Sequence, residues 1–479
     1  MNQKLHLLNE LKPIPIEELQ QKVSDEIKQE GRIIAFFGLP TSTDKTKLFL
    51  FIANKNNKSI TPILTETTTS YQSLTPQIPQ AHLFEREIFE TINIFPKNHP
   101  WLKPLRDSQS SKMEFFSLTE DIHEVAVGPI HAGIIEPGHF RFQCYGECVK
   151  FLEIVLGYQH RGIEKALKHG PTKKTIHYME TIAGDTSIGH AIAYCQAMEQ
   201  LACCKIPIRA EIIRAVLLEL ERLANHTGDL GALANDIGYL PTASYCGRLR
   251  GDFLNITALI CGNRFGRNIV TVGGINNDID DITIKFILDK LETTYEDVKS
   301  SVELLFQCDH AAGRLEKTGI LDKKTAQDLG IVGVAARASG INIDSRLQFP
   351  TGIYSTCPIK IATQHKGDVW ARARVRYLEI INSYEYIKTI LAMLQPGPII
   401  TLIGPLAIDA LTLSLVEGWR GEICHVALTD FEGNFLNYKI IDPSFHNWTG
   451  LAMVMRDEDI MNFPLCNKSF NLSYCGHDL

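Results

Sequence analysis

The sequence predicts an α+β protein: a small α/β module at the N-terminus, then a mainly helical core with β-strands at its start and end. Three observations predict it. Two short runs of aromatic and β-branched residues stand near the start, long segments of helical periodicity fill the middle, and a strand–turn–strand pattern stands near the end. A polar segment at 106–112, RDSQSSK, reads as a linker between the parts. The expected domains are therefore 1–112 and 113–479.

In chain order, residues 32–37 and 47–52 are the two strand-like runs. Residues 54–80 follow as a polar stretch rich in Thr, Ser and Asn. A helix is expected over 82–89, ended before Asn93-Ile94-Phe95-Pro96 because proline and its predecessor do not continue a helix. The second part opens with β-like segments at 124–130 and 140–144 and turns helical from about Thr172. Over 208–223, Ile213, Val216, Leu217, Leu220 and Leu223 recur at helical spacing among strong helix formers. Glu211, Arg214, Glu221 and Arg222 on that helix read as a solvated or subunit-facing stripe. Another long helix is expected over 282–306. Segments 423–428 and 435–441 flank Asp430-Phe431-Glu432-Gly433-Asn434, a hairpin signal.

Composition narrows the function classes. With 479 residues, 44% hydrophobic and 22% charged, the chain has material for a large core, and its net charge of −7 argues against nucleic-acid binding. The polar start has no apolar signal segment. The longest apolar candidate for a membrane span, 386–413, is interrupted by Lys388, Pro396, Pro398 and Pro405. A cytoplasmic location follows as an expectation, with membrane attachment through partners. The 12 cysteines include Cys144 and Cys148 four apart and Cys203 beside Cys204, but no C-x-x-C pair. Zinc ribbons and cluster-binding runs need closer, repeated spacings, so most of these thiols read as small buried hydrophobes in a reducing compartment. Walker A, G-x-G-x-x-G, H-E-x-x-H and G-x-S-x-G motifs are absent.

An ordered set of motifs carries more information. It begins with Gly128-Pro129-Ile130-His131 and Glu136-Pro137-Gly138-His139-Phe140-Arg141 and continues through His160-Arg161-Gly162-Ile163-Glu164-Lys165. It runs on through Arg209-Ala210-Glu211, Leu218-Glu219-Leu220-Glu221-Arg222-Leu223, Arg337-Ala338-Ser339-Gly340, Gly367-Asp368-Val369 and Glu417-Gly418-Trp419-Arg420-Gly421-Glu422, and closes at Asp442-Pro443-Ser444-Phe445. In this order they resemble the large subunit shared by membrane-bound, energy-converting nickel–iron hydrogenases and by complex I, where it is the D-type component of NADH-quinone oxidoreductase. Residues 75–101 resemble the end of the small peripheral C-type component of complex I, a module fused in front in formate-hydrogenlyase-type large subunits. The resemblance implies a nickel–iron-hydrogenase-large-subunit-like core.

In true hydrogenases of this family, two C-x-x-C pairs hold nickel and iron, because soft thiolates suit these metals. Anchored on Gly189-His190-Ala191, the early pair falls at Ala183 and Thr186; anchored on Ser469 and Asp478, the late pair falls at Ser473 and Gly476. None is cysteine, so nickel–iron is not expected, and the chain is expected to bind no cofactor of its own. Complex I holds a quinone headgroup with a Tyr and a His. Here that Tyr aligns at Gly184, the His-bearing segment is replaced by IIEPGH, and an Arg usual just before the site aligns at Thr181. Neither complete site is matched.

The candidate cavity or proton-relay residues are Glu136, His139, Glu164, Asp185 and His190. Three of them have a plainer alternative: Glu136 in a turn, Glu164 in an ion pair with Arg161 or Lys165, His190 as a hydrogen-bonded core histidine. A buried Asp185 must find a donor, face water or titrate. The resemblance further implies an iron–sulfur small subunit docking at His160, Arg161 and Glu164. It also implies antiporter-like membrane proteins and an H-type membrane component like that of complex I below, on the inner face of the cell membrane. Two functions are carried forward. One is an electron-passing subunit delivering to quinone or another acceptor and coupled to ion transport; the other is a non-catalytic scaffold. The apolar residues leading to Leu479 predict a buried tail beside the 183–190 segment.

Overall fold

The computed structural model describes residues 5–41, 44–106, 121–131 and 135–479. The two N-terminal runs form strands Gly31–Pro40 and Thr46–Asn54, paired antiparallel. The stretch read as polar supplies a third strand, Ser59–Thr67, antiparallel to the second. Its threonines are β-branched, so they favour a strand while lowering its apparent hydrophobicity. It is an edge of the three-stranded sheet, where Pro62 is tolerated. Helix His82–Ile92 packs on the first strand and ends at Asn93, which takes the left-handed conformation (φ 57°). The domain boundary at 112/113 lies outside the described residues.

The core opens with an antiparallel meander: His123–Val127, His139–Tyr145 and Cys148–Val155. The third strand was not foreseen. A helical layer follows, made chiefly of Ser187–Leu201, Ile208–Asp236, Leu240–Cys261, Asp281–Gln307 and Val369–Ala392.

Helix Ile208–Asp236 is central. It contacts Leu240–Cys261, Val369–Ala392, Ser187–Leu201 and Phe463–Phe470 on its different sides. This overturns the reading of its charges as a solvated stripe. Arg214, Glu219, Glu221 and Arg222 are all buried, and only Glu211 is half-exposed. Burial is tolerable because the charges find partners: Arg214 pairs with Glu199 at 2.6 Å and Arg222 with Glu219 at 3.1 Å.

The expected hairpin is present as Glu422–Thr429 and Phe435–Ile441. It belongs to a four-stranded antiparallel sheet completed by Ala410–Glu417 and His6–Leu7. The 386–413 segment is thus split between a helix end, a proline-rich connection and a strand. No helix among the described residues is long and apolar enough to cross a membrane.

Both faces of this sheet are covered. Leu411, Leu413, Leu415, Cys424, Val426 and Leu428 pack into the core of the N-terminal module, while Ala410, Val416, Ile423 and Ala427 pack into the helical core. Alternate residues of a strand point to opposite faces, so one sheet serves as wall to both cores. Only six of the twelve cysteines are buried, fewer than expected; Cys148, Cys204, Cys261, Cys308 and Cys357 are half-buried and Cys203 is exposed.

Candidate functional site

The turn before helix Ser187–Leu201 brings Ala183, Asp185 and Thr186 to one place, and the turn between strands Ala410–Glu417 and Glu422–Thr429 brings Arg420 to meet them. Arg420 grips Asp185 with two parallel bonds, Nη1 to Oδ1 at 2.6 Å and Nη2 to Oδ2 at 2.7 Å. The same guanidinium donates to Thr186 Oγ1 at 3.2 Å and, through Nε, to the carbonyl of Asn471 at 2.5 Å. Trp419 lies under it at 4.0 Å, and the indole Nε1 donates to the Asp185 carbonyl at 3.0 Å. Burial alone would push the Asp185 carboxyl up; Arg420 outweighs it and holds Asp185 below the ordinary carboxylate range.

The C-terminal tail closes the other side. Phe463–Phe470 and Tyr474–His477 are helical, and residues 472–479 are buried. Asp478 anchors the end by accepting from Gly157 N at 2.9 Å (Oδ1) and from Gln159 N at 2.9 Å (Oδ2). Ser473 caps the last turn, its Oγ accepting from Gly476 N at 2.9 Å. A side chain at Gly476 would collide with the Asp442 carboxyl, whose carbon would lie 2.6 Å from an added Cβ.

The four positions aligned with metal-binding cysteines therefore converge, through Arg420 on one side and Asp442 on the other. They do not fit a nickel–iron centre. Ala183 and Gly476 offer no side-chain donor, and Thr186 and Ser473 offer hydroxyls already bonded within the protein. The nearby Cys475 thiol is pushed up by burial to about 12, and its Sγ lies 3.3 Å from Ser473 Oγ. Among the described residues, no group of three or more His, Cys, Asp or Glu side chains is placed to hold a metal ion.

Beside the ion pair a cavity of about 670 Å³ opens. Glu136, Asp185, Ser473 and Cys475 stand on its inner wall with Arg420; Val127, Phe142, Phe463, Leu472 and Tyr474 make it largely apolar, and Ile135 and Met461 reach its exposed rim. Glu136 accepts from Cys475 N at 3.2 Å. Of the five candidates, Glu136 and Asp185 line the cavity. His139 sits on strand His139–Tyr145 and does not line it.

His190 is fully buried and hydrogen-bonded. Its Nε2 is 3.0 Å from Asp442 Oδ2 and its Nδ1 is 3.1 Å from His425 Nε2; His425 Nδ1 in turn is 2.9 Å from the Tyr438 hydroxyl. Behind the same turn, Glu221 accepts from Ile188 N at 2.8 Å and Gly189 N at 3.2 Å. Burial, reinforced by the charge of Asp185, pushes its carboxyl up to about 8 despite those two bonds.

Glu164 stands away from this cavity, and its partners are not those expected. It pairs with Lys439 at 3.0 Å and accepts from Ile440 N at 2.9 Å, rather than engaging Arg161 or Lys165. The left-handed Gly162 (φ 66°) starts a short helix that turns Glu164 toward strand Phe435–Ile441. Lys439 also holds Glu87 of the N-terminal module at 2.5 Å, so it ties module to core. Arg161 instead donates to the carbonyls of Thr181 (2.8 Å) and Ile182 (2.9 Å), just before the site turn, and His160 Nδ1 lies 3.3 Å from the Asp478 carbonyl.

Sequence reasoning missed the grip of Arg420, although its motif was visible, and missed Asp442, His131 and Tyr474 as neighbours of the site. Their contacts join segments hundreds of residues apart, and no local spacing signals them.

Comparison with known proteins gives matches of two kinds. Residues 236–409 match the family model of the respiratory-chain NADH dehydrogenase 49 Kd subunit, and residues 30–114 that of the 30 Kd subunit. The chain is 30% identical to the carbon monoxide-induced hydrogenase of Rhodospirillum rubrum over 357 residues, 73% of this chain and 97% of the relative. It is 26% identical to formate hydrogenlyase subunit 5 of Escherichia coli over 492 residues, 94% of this chain and 85% of the relative. It is 32% identical to NADH-quinone oxidoreductase subunit 4 of Thermus thermophilus over 284 residues, 59% of this chain and 69% of the relative.

Proposed function

This chain belongs to the family that unites the large subunits of membrane-bound hydrogenases with the 49-kDa subunits of complex I, and we propose that it works within an energy-converting membrane complex as an electron-passing subunit without hydrogenase activity. In this reading an iron–sulfur cluster in a partner protein supplies electrons, and quinone is the acceptor. Two electrons from the partner and two protons from water reduce each quinone to quinol, and the complex couples that step to ion transport. The partner docks at His160, Arg161 and Glu164, and antiporter-like and H-type membrane proteins hold the assembly on the inner face of the membrane.

The observation that carries the reading is the open cavity of about 670 Å³ beside the vacated ligand positions, with Glu136 and Asp185 on its wall. A purely structural descendant of a metalloenzyme gains stability by filling such a space, because an unfilled cavity costs packing energy. Its size suits a small organic ligand.

Gly184 offers the test. It lines the cavity, and a Cβ added there meets nothing within 4 Å, so a large side chain is directed into open space. Gly184→Phe is expected to leave the complex assembled and to abolish electron transfer to quinone. Unchanged turnover in an assembled Gly184→Phe complex would support the scaffold instead. Elemental analysis of the purified complex should find no nickel assigned to this chain; about one nickel per chain would overturn the proposal.

A further inference from the structure

A second cavity, of about 460 Å³, shares no lining residue with the first. Helices Ser187–Leu201 and Ile208–Asp236, residues 345–354 and strand Ala410–Glu417 all contribute to it. Ile192, Ala215, Leu218, Ile353, Leu415 and Val416 make its walls largely apolar. Most of its polar groups are committed to the protein. Arg214 binds Glu199 through Nη2 at 2.6 Å and Nη1 at 3.1 Å, and donates to the carbonyls of Thr271 at 2.7 Å and Gly274 at 2.8 Å. Gln196 donates to Thr351 Oγ1 at 2.9 Å and accepts from Ser414 Oγ at 3.0 Å. Gln200 Oε1 accepts from Thr412 Oγ1.

Glu211 is not committed. It lines the cavity half-buried, and its carboxyl makes no ion pair or hydrogen bond among the described residues. It stands against Gly352, where an added Cβ would lie 3.7 Å from Glu211 Cβ. A second source of negative charge is the buried cluster behind Glu417, which also lines the cavity. Glu219, Asp344, Glu379 and Glu417 interlock there with Arg222, Arg337 and Arg346. Four carboxylates face three guanidiniums. His226 bonds Glu379 but, lowered by burial, adds no charge. One acid is therefore in excess, and burial with the charge of Asp344 pushes the Glu417 carboxyl up. A buried acid without a full counter-charge favours a proton or a cation beside it. Lys205 is the other unpaired charge on the lining among the described residues, and it is exposed to water.

We propose that this cavity is a second ligand site, for a small organic cation: an ammonium group paired with Glu211 and drawn by the excess charge at Glu417, on an apolar body packed against Leu218, Ile353 and Val416. The volume suits a small organic molecule. A bare metal ion is a poor fit, because no three His, Cys, Asp or Glu side chains among the described residues converge to hold one, and most of the wall offers carbon rather than oxygen. The site does not depend on the reading of the first cavity as an acceptor site. The two do share a segment: Glu417 ends the strand that leads into the turn carrying Arg420, and Arg222 holds the carbonyls of Glu417 at 2.6 Å and Gly418 at 2.9 Å.

The test uses the complex purified in detergent and two probes with the same apolar body, phenethylamine and phenethyl alcohol, with equilibrium binding measured by calorimetry. The amine is expected to bind about tenfold more tightly than the alcohol, as for a hydrogen bond to a charged group. Glu211→Gln keeps the shape of a half-exposed side chain that supports no fold contact, and is expected to erase this preference while leaving alcohol binding and the melting temperature unchanged. Lys205→Glu, at an exposed position, adds an acid at the mouth and is expected to strengthen amine binding about twofold. An amine that binds no more tightly than the alcohol, or not at all, would overturn the proposal. So would a Glu211→Gln complex that still prefers the amine, or a Lys205→Glu complex that binds it more weakly. None of these outcomes bears on quinone reduction, which is measured separately on the same complex.

Discussion

Glu221→Gln tests the electrostatics behind the site turn. The Glu221 carboxyl is buried, is held by two backbone N–H groups, faces the negative charge of Asp185, and is pushed from 4.5 up to about 8. Between those two pH values the folded chain keeps a proton that the unfolded chain has released. The folded state therefore binds more protons, and stability falls as pH rises through this window. The slope is about 1.4 kcal/mol per pH unit, on the order of 5 kcal/mol over the whole window. Glutamine cannot titrate. Its amide oxygen can accept from only one side, so the variant loses about 1–2 kcal/mol at pH 5, where Glu221 is still protonated. The two stability curves should then cross near ~pH 6, and above that the variant should be the more stable protein. Urea denaturation of the full chain at unit intervals from pH 5 to pH 9 measures this, and the difference between the two proteins cancels every other titrating group. Parallel curves would refute the reasoning, since they would mean that Glu221 ionises in the fold as easily as in the unfolded chain.

The Arg420–Asp185 pair should be asymmetric: Arg420 is 5% exposed at its side chain and Asp185 33%. Asp185→Ala strands a buried guanidinium and should cost about 3–5 kcal/mol. Arg420→Met leaves a carboxylate that can reach cavity water and should cost less, about 1–3 kcal/mol; thermal denaturation giving the reverse order would count against the grip as described. His82 and His446 are each depressed by burial to about 3, and His425 lies well below 6.5. Unfolding lets them take protons, so stability should be lost as pH falls below ~6.5, by up to about 1.4 kcal/mol per unit for each histidine; a flat acid limb in circular dichroism would contradict this. Removing residues 470–479 should destabilise the core by several kcal/mol, as it opens a cavity and leaves the Gly157 and Gln159 amides without Asp478. A truncated chain with an unchanged melting temperature would argue against the tail as a core element.

Much of the fold was legible because it is written locally. Helical spacing over Ile213, Val216, Leu217, Leu220 and Leu223 marked the central helix, and the Asp430–Asn434 turn marked the hairpin. The third N-terminal strand was not legible, because threonine hides a strand from a hydrophobicity reading. The burial of Arg214, Glu221 and Arg222 was not legible either: a charge on a helix reads as solvated until its neighbours are known. At the site, aligned motifs located Glu136 and Asp185 on one cavity but could not say that His190 turns to Asp442 and His425, or that Glu164 joins Lys439.

By itself the sequence determined that Ala183, Thr186, Ser473 and Gly476, the positions the family resemblance aligns with ligand cysteines, carry no thiol. Covalent identity decides that, and folding cannot supply a sulfur. Only the tertiary structure decided what surrounds these positions: a guanidinium–carboxylate pair, a buried tail and a cavity open beside them. The reason is physical. Ligand chemistry belongs to single residues, but charge pairing, burial and empty volume belong to segments as far apart as Asp185, Arg420 and Tyr474, which meet only when the sheet, the central helix and the tail close on one another.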